Sequence, residues 1–309
     1  MKNILITGGA GFIGSHTADL LLQTGYRVVV LDNLATGKSK NLDLFHPELS
    51  FIPGDVLDYP ALLTQVKRCD AVLHLAALPS VPKSIEDPIN SLKVNMQGFV
   101  HVLQAIREAA RPIRLVYASS AAVYGAETEL PCNDNAPILT NAPLSPYALE
   151  KASNERYADL YARLFGMNSL ALRYFNVYGP RQDPTSPYSG VISKFLECYQ
   201  KKEDITIWGD GQQSRDFIYV GDIARANLLA LQSDYTGALN IATGVPETLQ
   251  NLVKYIEKVG GESAQLNLAP ARSGDIRESY ASIQKAKDVL AFEYSVSLAA
   301  GIQQLMPKS

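Results

Sequence analysis

Short apolar runs alternate with amphipathic stretches through the first half of the chain. Strands of the fully buried kind read at 3–7, 27–32, 50–54, 70–75, 113–118 and 168–173. Helical spacing reads at 12–24, 58–67, 88–110 and 147–164. Continuous apolar strands separated by helices predict an α/β fold, a Rossmann-type doubly wound parallel sheet covered on both faces. After Arg173 the rhythm breaks, as Pro180, Pro184, Pro187 and several Gly interrupt it. The expected organisation is a large domain over 1–175, with 213–243 returning to it. A smaller mixed α/β C-terminal lobe is expected from 176–212 and 244–309.

The junction between the first strand and the first helix reads Gly8-Gly-Ala-Gly11-Phe12-Ile13-Gly14. Gly8 and Gly11 permit a tight turn that brings backbone N–H groups close to a pyrophosphate. Gly14 permits close packing of helix on strand, and the helix N-terminus faces the phosphates. Asp32 ends the next strand 18 residues after Gly14, where a carboxylate accepts hydrogen bonds from ribose hydroxyls and repels a 2′-phosphate. That favours NAD over NADP, with Asn33 beside the same ribose. Asp55-Val56 ends the third strand within expected reach of the adenine. Ala76, in the small-residue end of the fourth strand, allows backbone to run near the dinucleotide, and Asn95 is a candidate polar anchor.

Tyr147 and Lys151 lie four residues apart in a helix that opens with a Ser N-cap and a Pro in its first turn. That spacing puts the ammonium and the phenol on one face. A fixed positive charge favours the phenolate, so the pair is a candidate base for a hydroxyl proton. The chain has 16 Tyr, so the pair decides nothing without its surroundings.

Composition narrows the field. With 309 residues, 47% hydrophobic and 19% charged, the chain reads as soluble and globular. Its net charge is −3 and it has no basic tract, which argues against nucleic acid and membrane as partners. The three widely spaced Cys predict a reducing compartment without disulfides, and no metal-ligand spacing joins them to the His. The first strand starts almost at once, so no signal peptide is expected, and no apolar run is long enough to span a bilayer. A cytoplasmic location follows as an expectation.

Further matches extend along nearly the whole chain. They are Tyr117-Ala-Ser-Ser-Ala-Ala-Val-Tyr-Gly125, Arg173-Tyr-Phe-Asn-Val-Tyr-Gly-Pro-Arg-Gln182, Ser214-Arg-Asp-Phe-Ile-Tyr219 and Arg272-Ser-Gly-Asp275. With the glycine turn, Asp32-Asn33, Asp55-Val56 and Tyr147-x-x-x-Lys151, they resemble the extended short-chain dehydrogenase/reductases, and within them the nucleotide-sugar 4-epimerases. The resemblance implies that Ser120 hydrogen-bonds the sugar's 4-oxygen beside Tyr147 and that Ser119 lines the same pocket. It implies that Lys151 binds the nicotinamide ribose and lowers the Tyr147 pKa. Asn176 would contact the sugar diphosphate, Arg215 and Arg272 the pyrophosphate, and Asp275 the uridine ribose. Guanidinium groups suit a diphosphate because they make forked, charge-assisted bonds to it. Hydride leaves carbon 4 for a retained NAD, the 4-keto sugar turns, and hydride returns to its other face.

The resemblance also separates activities. Dehydratase relatives carry an acid pair where this chain has Ala121 and Ala122, and a methyl group cannot protonate a departing hydroxyl. Decarboxylating relatives carry an acidic residue in the same region. A noncatalytic NAD-binding protein is opposed by intact Ser120, Tyr147 and Lys151. Ser279 falls where glucose/galactose-restricted epimerases carry a bulky Tyr, which leaves space beside carbon 2. Ser80-Val-Pro-Lys-Ser84 and Arg181-Gln182-Asp-Pro184 look like the UDP-N-acetylglucosamine branch, with Ser80 and Gln182 at the substrate, although that branch often has Gly in place of Pro79. The expected activity is interconversion of UDP-N-acetylglucosamine and UDP-N-acetylgalactosamine, with UDP-glucose and UDP-galactose also open. UDP-glucose 4-epimerase proper and a 4,6-dehydratase are the alternatives. By resemblance the enzyme is a homodimer through helices 88–110 and 147–164, and its product feeds a polysaccharide or glycoconjugate.

Overall fold

The computed structural model describes residues 2–126, 129–138, 143–183, 190–271 and 276–306. The strands are β1 (Asn3–Thr7), β2 (Arg27–Asp32), β3 (Leu49–Pro53), β4 (Ala71–His74), β5 (Arg114–Ser120), β6 (Ser169–Tyr174), β7 (Asn176–Tyr178), β8 (Ile205–Trp208), β9 (Ser214–Tyr219), β10 (Gly237–Ile241), β11 (Pro246–Thr248), β12 (Leu266–Ala269) and β13 (Glu278–Ser279). The helices are α1 (Phe12–Gln23), α2 (Tyr59–Val66), α3 (Val81–Glu86), α4 (Pro88–Leu92), α5 (Gly98–Glu108), α6 (Pro146–Phe165), α7 (Val191–Lys201), α8 (Val220–Gln232), α9 (Leu249–Gly260), α10 (Gln284–Leu290) and α11 (Leu298–Leu305).

Seven parallel strands form one sheet in the order β10-β6-β5-β4-β1-β2-β3. This is the expected Rossmann-type sheet, and the order reverses direction at β1, which opens a crevice at the strands' C-terminal ends. Strand alternation splits the core. Ile4, Ile6, Val116, Leu170 and Leu172 face one layer with α1 and α8. Leu5, Val72, Leu115, Tyr117 and Ala171 face the other with α2, α5 and α6. Both faces are covered, which is why these strands read as unbroken apolar runs.

A second core lies around Tyr178, Phe195, Ile207, Phe217, Leu252 and Ile302. It supports a small sheet in which β9 pairs with β7, β11 and β13. Two boundaries differ from expectation. Within the segment 213–243, β10 lies in the large sheet and α8 packs beside it, while β9 is the spine of the small sheet. Residues expected in the small lobe also return, since Ala286, Leu290 and Phe292 pack in the large domain's core. Helical periodicity was also too coarse at 88–110, which is α4, a π-turn at Lys93–Gln97 and then α5.

Among the described residues no helix is long and apolar enough to cross a membrane. No disulfide joins the three Cys, and no cluster of three or more His, Cys, Asp or Glu is placed to hold a metal among the described residues.

Candidate active site

The glycine turn closes onto the end of β4. Gly8 has φ +72°, and a Cβ there would lie 2.7 Å from the Ala76 backbone nitrogen. A Cβ on Gly14 would lie 2.4 Å from the Gly8 carbonyl oxygen, so helix and strand touch backbone to backbone. No side chain caps α1, which leaves the N–H groups of its first turn, at Phe12, Ile13 and Gly14, for an anion. Asp32 is buried and accepts from Ala10 N at 2.9 Å and Leu34 N at 2.8 Å. Each carboxylate oxygen keeps a lone pair for a ribose hydroxyl. Asn33 donates to Asp55 at 2.9 Å, clasping the ends of β2 and β3. These residues fit a dinucleotide: close backbone, an uncapped helix and, at the end of the neighbouring strand, a carboxylate with acceptor capacity left for a ribose.

Two expected cofactor contacts are held in packing contacts within the protein. Val56 is buried and packs against Gly98. Asn95 is also buried. Its amide nitrogen donates to Glu150 at 2.6 Å and its oxygen accepts from Leu78 N at 2.7 Å, so it pins the loop after β4 to α6.

The chemistry-bearing cluster sits where β5 ends. Ser145 caps α6, its hydroxyl accepting from Ala148 N, with Pro146 in the first turn. Tyr147 therefore lies at the helix mouth, and its backbone N–H is held by the Ser84 hydroxyl at 3.2 Å. Its phenol is hydrogen-bonded to Ser120. Ser120 also caps the short turn Ala121–Tyr124, accepting from Ala122 N at 3.2 Å. Lys151, one turn on, is buried; its ammonium donates to the Ala118 carbonyl at 2.9 Å and lies 5.7 Å from the Tyr147 ring centre.

The electrostatics correct one expectation. Burial pushes the Tyr147 phenol up to about 12; the Ser120 hydrogen bond opposes this and the Glu150 charge adds to it. The expected lowering by Lys151 is not seen in the protein alone. Burial brings Lys151 itself down to about 8, against the pull of Glu150. Burial in the protein alone thus favours the neutral phenol, and further positive charge at the site would favour the phenolate.

Ser119 is not in this pocket. Successive strand residues face opposite sides, and Ser119 turns its hydroxyl to Glu155 at 2.5 Å, fully inside the protein. Gln182 is also used internally. Its nitrogen donates to the Val177 carbonyl at 3.2 Å and its oxygen accepts from Ser193 at 2.6 Å. Ser80 caps α3, accepting from Lys83 N, rather than standing free.

Asn176 is exposed at the head of β7. Arg215 and Ser279 are register partners in neighbouring strands β9 and β13, so their side chains share one face of the small sheet. Asp216, pointing the other way, accepts from Thr243 N, Thr243 Oγ1 and Gly244 N at 2.6–2.9 Å and so locks β9 in place. Arg272 and Asp275 lie outside the described residues. Sequence reading gave no role to Ser84, Glu150, Asp216 or Glu155, although Ser84 and Asp216 lie within the motifs at 80–84 and 214–219. Glu155 left a signal of its own, a carboxylate on the same helical stripe as Tyr147 and Lys151.

Fold and side-chain geometry together define an extended short-chain dehydrogenase/reductase. Residues 4–242 match the model of the NAD dependent epimerase/dehydratase family. The chain is similar to a UDP-glucose 4-epimerase of Mycolicibacterium smegmatis, 34% identical over 96% of this chain and 95% of that one. Among solved structures it resembles a UDP-N-acetylglucosamine 4-epimerase of Methanobrevibacter ruminantium, in complex with UDP-N-acetylmuramic acid (TM-score 0.92, 38% identity, 98% of each chain). It also resembles a UDP-glucose 4-epimerase of Thermotoga maritima with UDP-glucose (TM-score 0.92, 37% identity, 98% of this chain and 96% of that one). The chain belongs to the NAD dependent epimerase/dehydratase family, and it is an enzyme with NAD as its cofactor.

Proposed function

We propose that the enzyme is a UDP-sugar 4-epimerase that interconverts UDP-N-acetylglucosamine and UDP-N-acetylgalactosamine and also accepts UDP-glucose and UDP-galactose. The observation that carries the reaction type is the assembly of Tyr147, Ser120 and Lys151 at the end of β5 with only methyl groups, Ala121 and Ala122, following the serine. Tyr147 removes the proton from the sugar's 4-hydroxyl, and Ser120 holds the 4-oxygen as it becomes a carbonyl. Bound NAD supplies the hydride acceptor and donor and, when oxidised, a positive ring charge of the kind that draws a phenol's pKa down. Lys151, anchored to Ala118, holds the cofactor's ribose and keeps a positive charge at the site. With Ala121 and Ala122 where dehydratase relatives carry an acid pair, the keto sugar keeps its 6-hydroxyl; carbon 4 takes hydride back on its other face as Tyr147 returns the proton to the 4-oxygen, and the net result is inversion.

The sugar preference rests on Ser279. A small side chain beside Arg215 leaves room for an N-acetyl group when Arg215, Arg272 and Asn176 hold the diphosphate and Asp275 the uridine ribose. UDP-glucose 4-epimerase proper is the second reading, favoured by the names of the M. smegmatis and T. maritima relatives. Purified enzyme given UDP-N-acetylglucosamine without added NAD is expected to yield the galacto epimer. Absence of that product, or a 4-keto-6-deoxy sugar in its place, overturns the reading. Tyr147→Phe is expected to keep NAD and lose at least about 10²-fold in kcat.

We also propose a cytoplasmic homodimer. Ile85, Ile89 and Leu92 on α3 and α4, and Leu149, Leu160 and Leu164 on α6, are exposed apolar side chains on helices that pack together. A patch of this kind suits a second copy of the same surface. Ile89→Asp with Leu164→Asp is expected to give monomers in sedimentation. A wild-type enzyme that sediments as a monomer at micromolar concentration would rule the dimer out.

A further inference from the structure

Behind the reacting cluster lies a buried ion pair that the reaction does not use. Glu155 stands on α6 two turns after Tyr147, so Tyr147, Lys151 and Glu155 form one stripe. Its carboxylate accepts from Ser119 Oγ at 2.5 Å and Arg173 Nε at 3.0 Å through one oxygen, and from Arg173 Nη2 at 2.7 Å through the other. Ser119 and Arg173 are register partners in β5 and β6, so both reach the same face. Arg173 also donates to Tyr124 Oη at 2.7 Å and to the Asp134 carbonyl at 3.0 Å. All three residues of this core, Ser119, Glu155 and Arg173, are more than nine-tenths buried.

We propose that Glu155 and Arg173 are positioning residues, which fix through Ser119 the strand end that carries Ser120 and so set the approach of Ser120 to Tyr147. The geometry is direct. Ser119 and Ser120 are consecutive on a strand, so holding one hydroxyl fixes the backbone from which the other projects. The helix that carries Tyr147 is keyed to the same point by Glu155. The forked contact defines both distance and angle, which a single hydrogen bond to Ser119 would not. A displacement of about 1 Å at a reacting group can cost about 10²-fold in rate, so the clamp matters most for turnover and least for substrate binding. This rests on the reading of Tyr147 and Ser120 as the reacting pair.

Three variants separate positioning from mere stability. Ser119→Ala removes the tether without leaving a bare charge, and Glu155→Gln removes the carboxylate. Glu155→Leu with Arg173→Met removes both charges, because an unpaired buried partner is itself destabilising while an apolar pair of similar volume can be tolerated. Each is assayed as NAD-loaded enzyme for kcat and KM with UDP-N-acetylglucosamine and UDP-glucose, and for melting temperature. We expect Ser119→Ala to lose about tenfold and Glu155→Gln about 100-fold in kcat, with KM within threefold for both sugars. The apolar pair should melt near wild type and stay slow. A kcat within twofold of wild type in Ser119→Ala, or in the apolar pair, overturns the proposal, and Ser119→Ala alone decides if the others do not fold. Tyr147→Phe is the control. If it is inactive while the apolar pair is active, only the positioning role falls. If it turns over normally, the reacting-pair reading falls and takes the proposal with it.

Discussion

The two ends of the crevice are built on opposite principles. On the nucleotide side the groups facing a ligand are main chain: the turn at Gly8–Gly14, the uncapped start of α1 and the backbone of Ala76, with Asp32 already fixed by two amides. On the sugar side the candidates are side chains from separate segments, Arg215 on β9, Ser279 on β13 and Asn176 on β7, collected by a small sheet. Main-chain recognition leaves no atom that can be exchanged without moving the fold. Side-chain recognition leaves each contact free to change while the sheet stays. The first arrangement suits a cofactor common to many enzymes, the second a substrate that differs among them. Substitutions should therefore break the first side and retune the second.

The largest effect is expected at Gly8. Alanine there must adopt φ +72° and place its methyl 2.7–2.9 Å from three backbone atoms of Leu75 and Ala76. Backbone strain and overpacking each cost about 1–3 kcal/mol, and neither neighbour can rotate away. Gly8→Ala should lower the melting temperature and strip the purified enzyme of nucleotide, as measured by the NAD released on denaturation. Near-normal NAD content would mean that the turn is more plastic than its contacts imply.

An intermediate and selective effect is expected at Ser279. A tyrosine there would project from the same face as Arg215, into the space that the proposed function gives to the sugar's carbon 2 substituent. Ser279→Tyr should cut kcat/KM for UDP-N-acetylglucosamine by about 10²-fold, the scale of a few kcal/mol that steric exclusion typically supplies. UDP-glucose should change less than threefold. Equal losses on the two sugars would remove Ser279 from the specificity argument and leave UDP-glucose 4-epimerase proper as the better reading.

The same contrast governs what could be read from the chain itself. Six of the seven strands of the large sheet, all but β10, appear within two residues of their periodic runs, because both faces of each are covered by apolar packing. The glycine turn was legible because only main-chain proximity demands glycine at 8 and 14. The small sheet was less legible. β9 mixes three polar residues, Ser214, Arg215 and Asp216, with the apolar Phe217 and Ile218, and its partners β7, β11 and β13 are too short to carry a period. Alternation alone could have separated Ser119 from Ser120, since one must face away when the other faces the crevice. Asn95 and Gln182 could not have been resolved this way. Their amides serve Glu150 and Ser193, contacts set by tertiary packing and silent in local sequence.

The smallest effect distinguishes the two ends by acid. His74, at the end of β4 beside the glycine turn, is buried with Nδ1 2.7 Å from Thr7 Oγ1. Burial, aided by the Lys151 charge, holds its pKa down at about 3. An unfolded histidine binds its proton near 6.5, so between that value and 3 the unfolded chain takes up more protons than the native one. The stabilisation from a neutral His74 is complete above pH 6.5 and is lost as pH falls, by at most about 3 kcal/mol at pH 4. Asp216, under the small sheet, has the opposite sign. Burial raises its pKa despite the Thr243 and Gly244 hydrogen bonds, so its charged form becomes less of a burden as pH falls. Urea unfolding between pH 7 and 4 should therefore show a loss that His74→Gln flattens and Asp216→Asn steepens. Parallel curves for His74→Gln and wild type would mean that the imidazole takes up its proton without opening the nucleotide end.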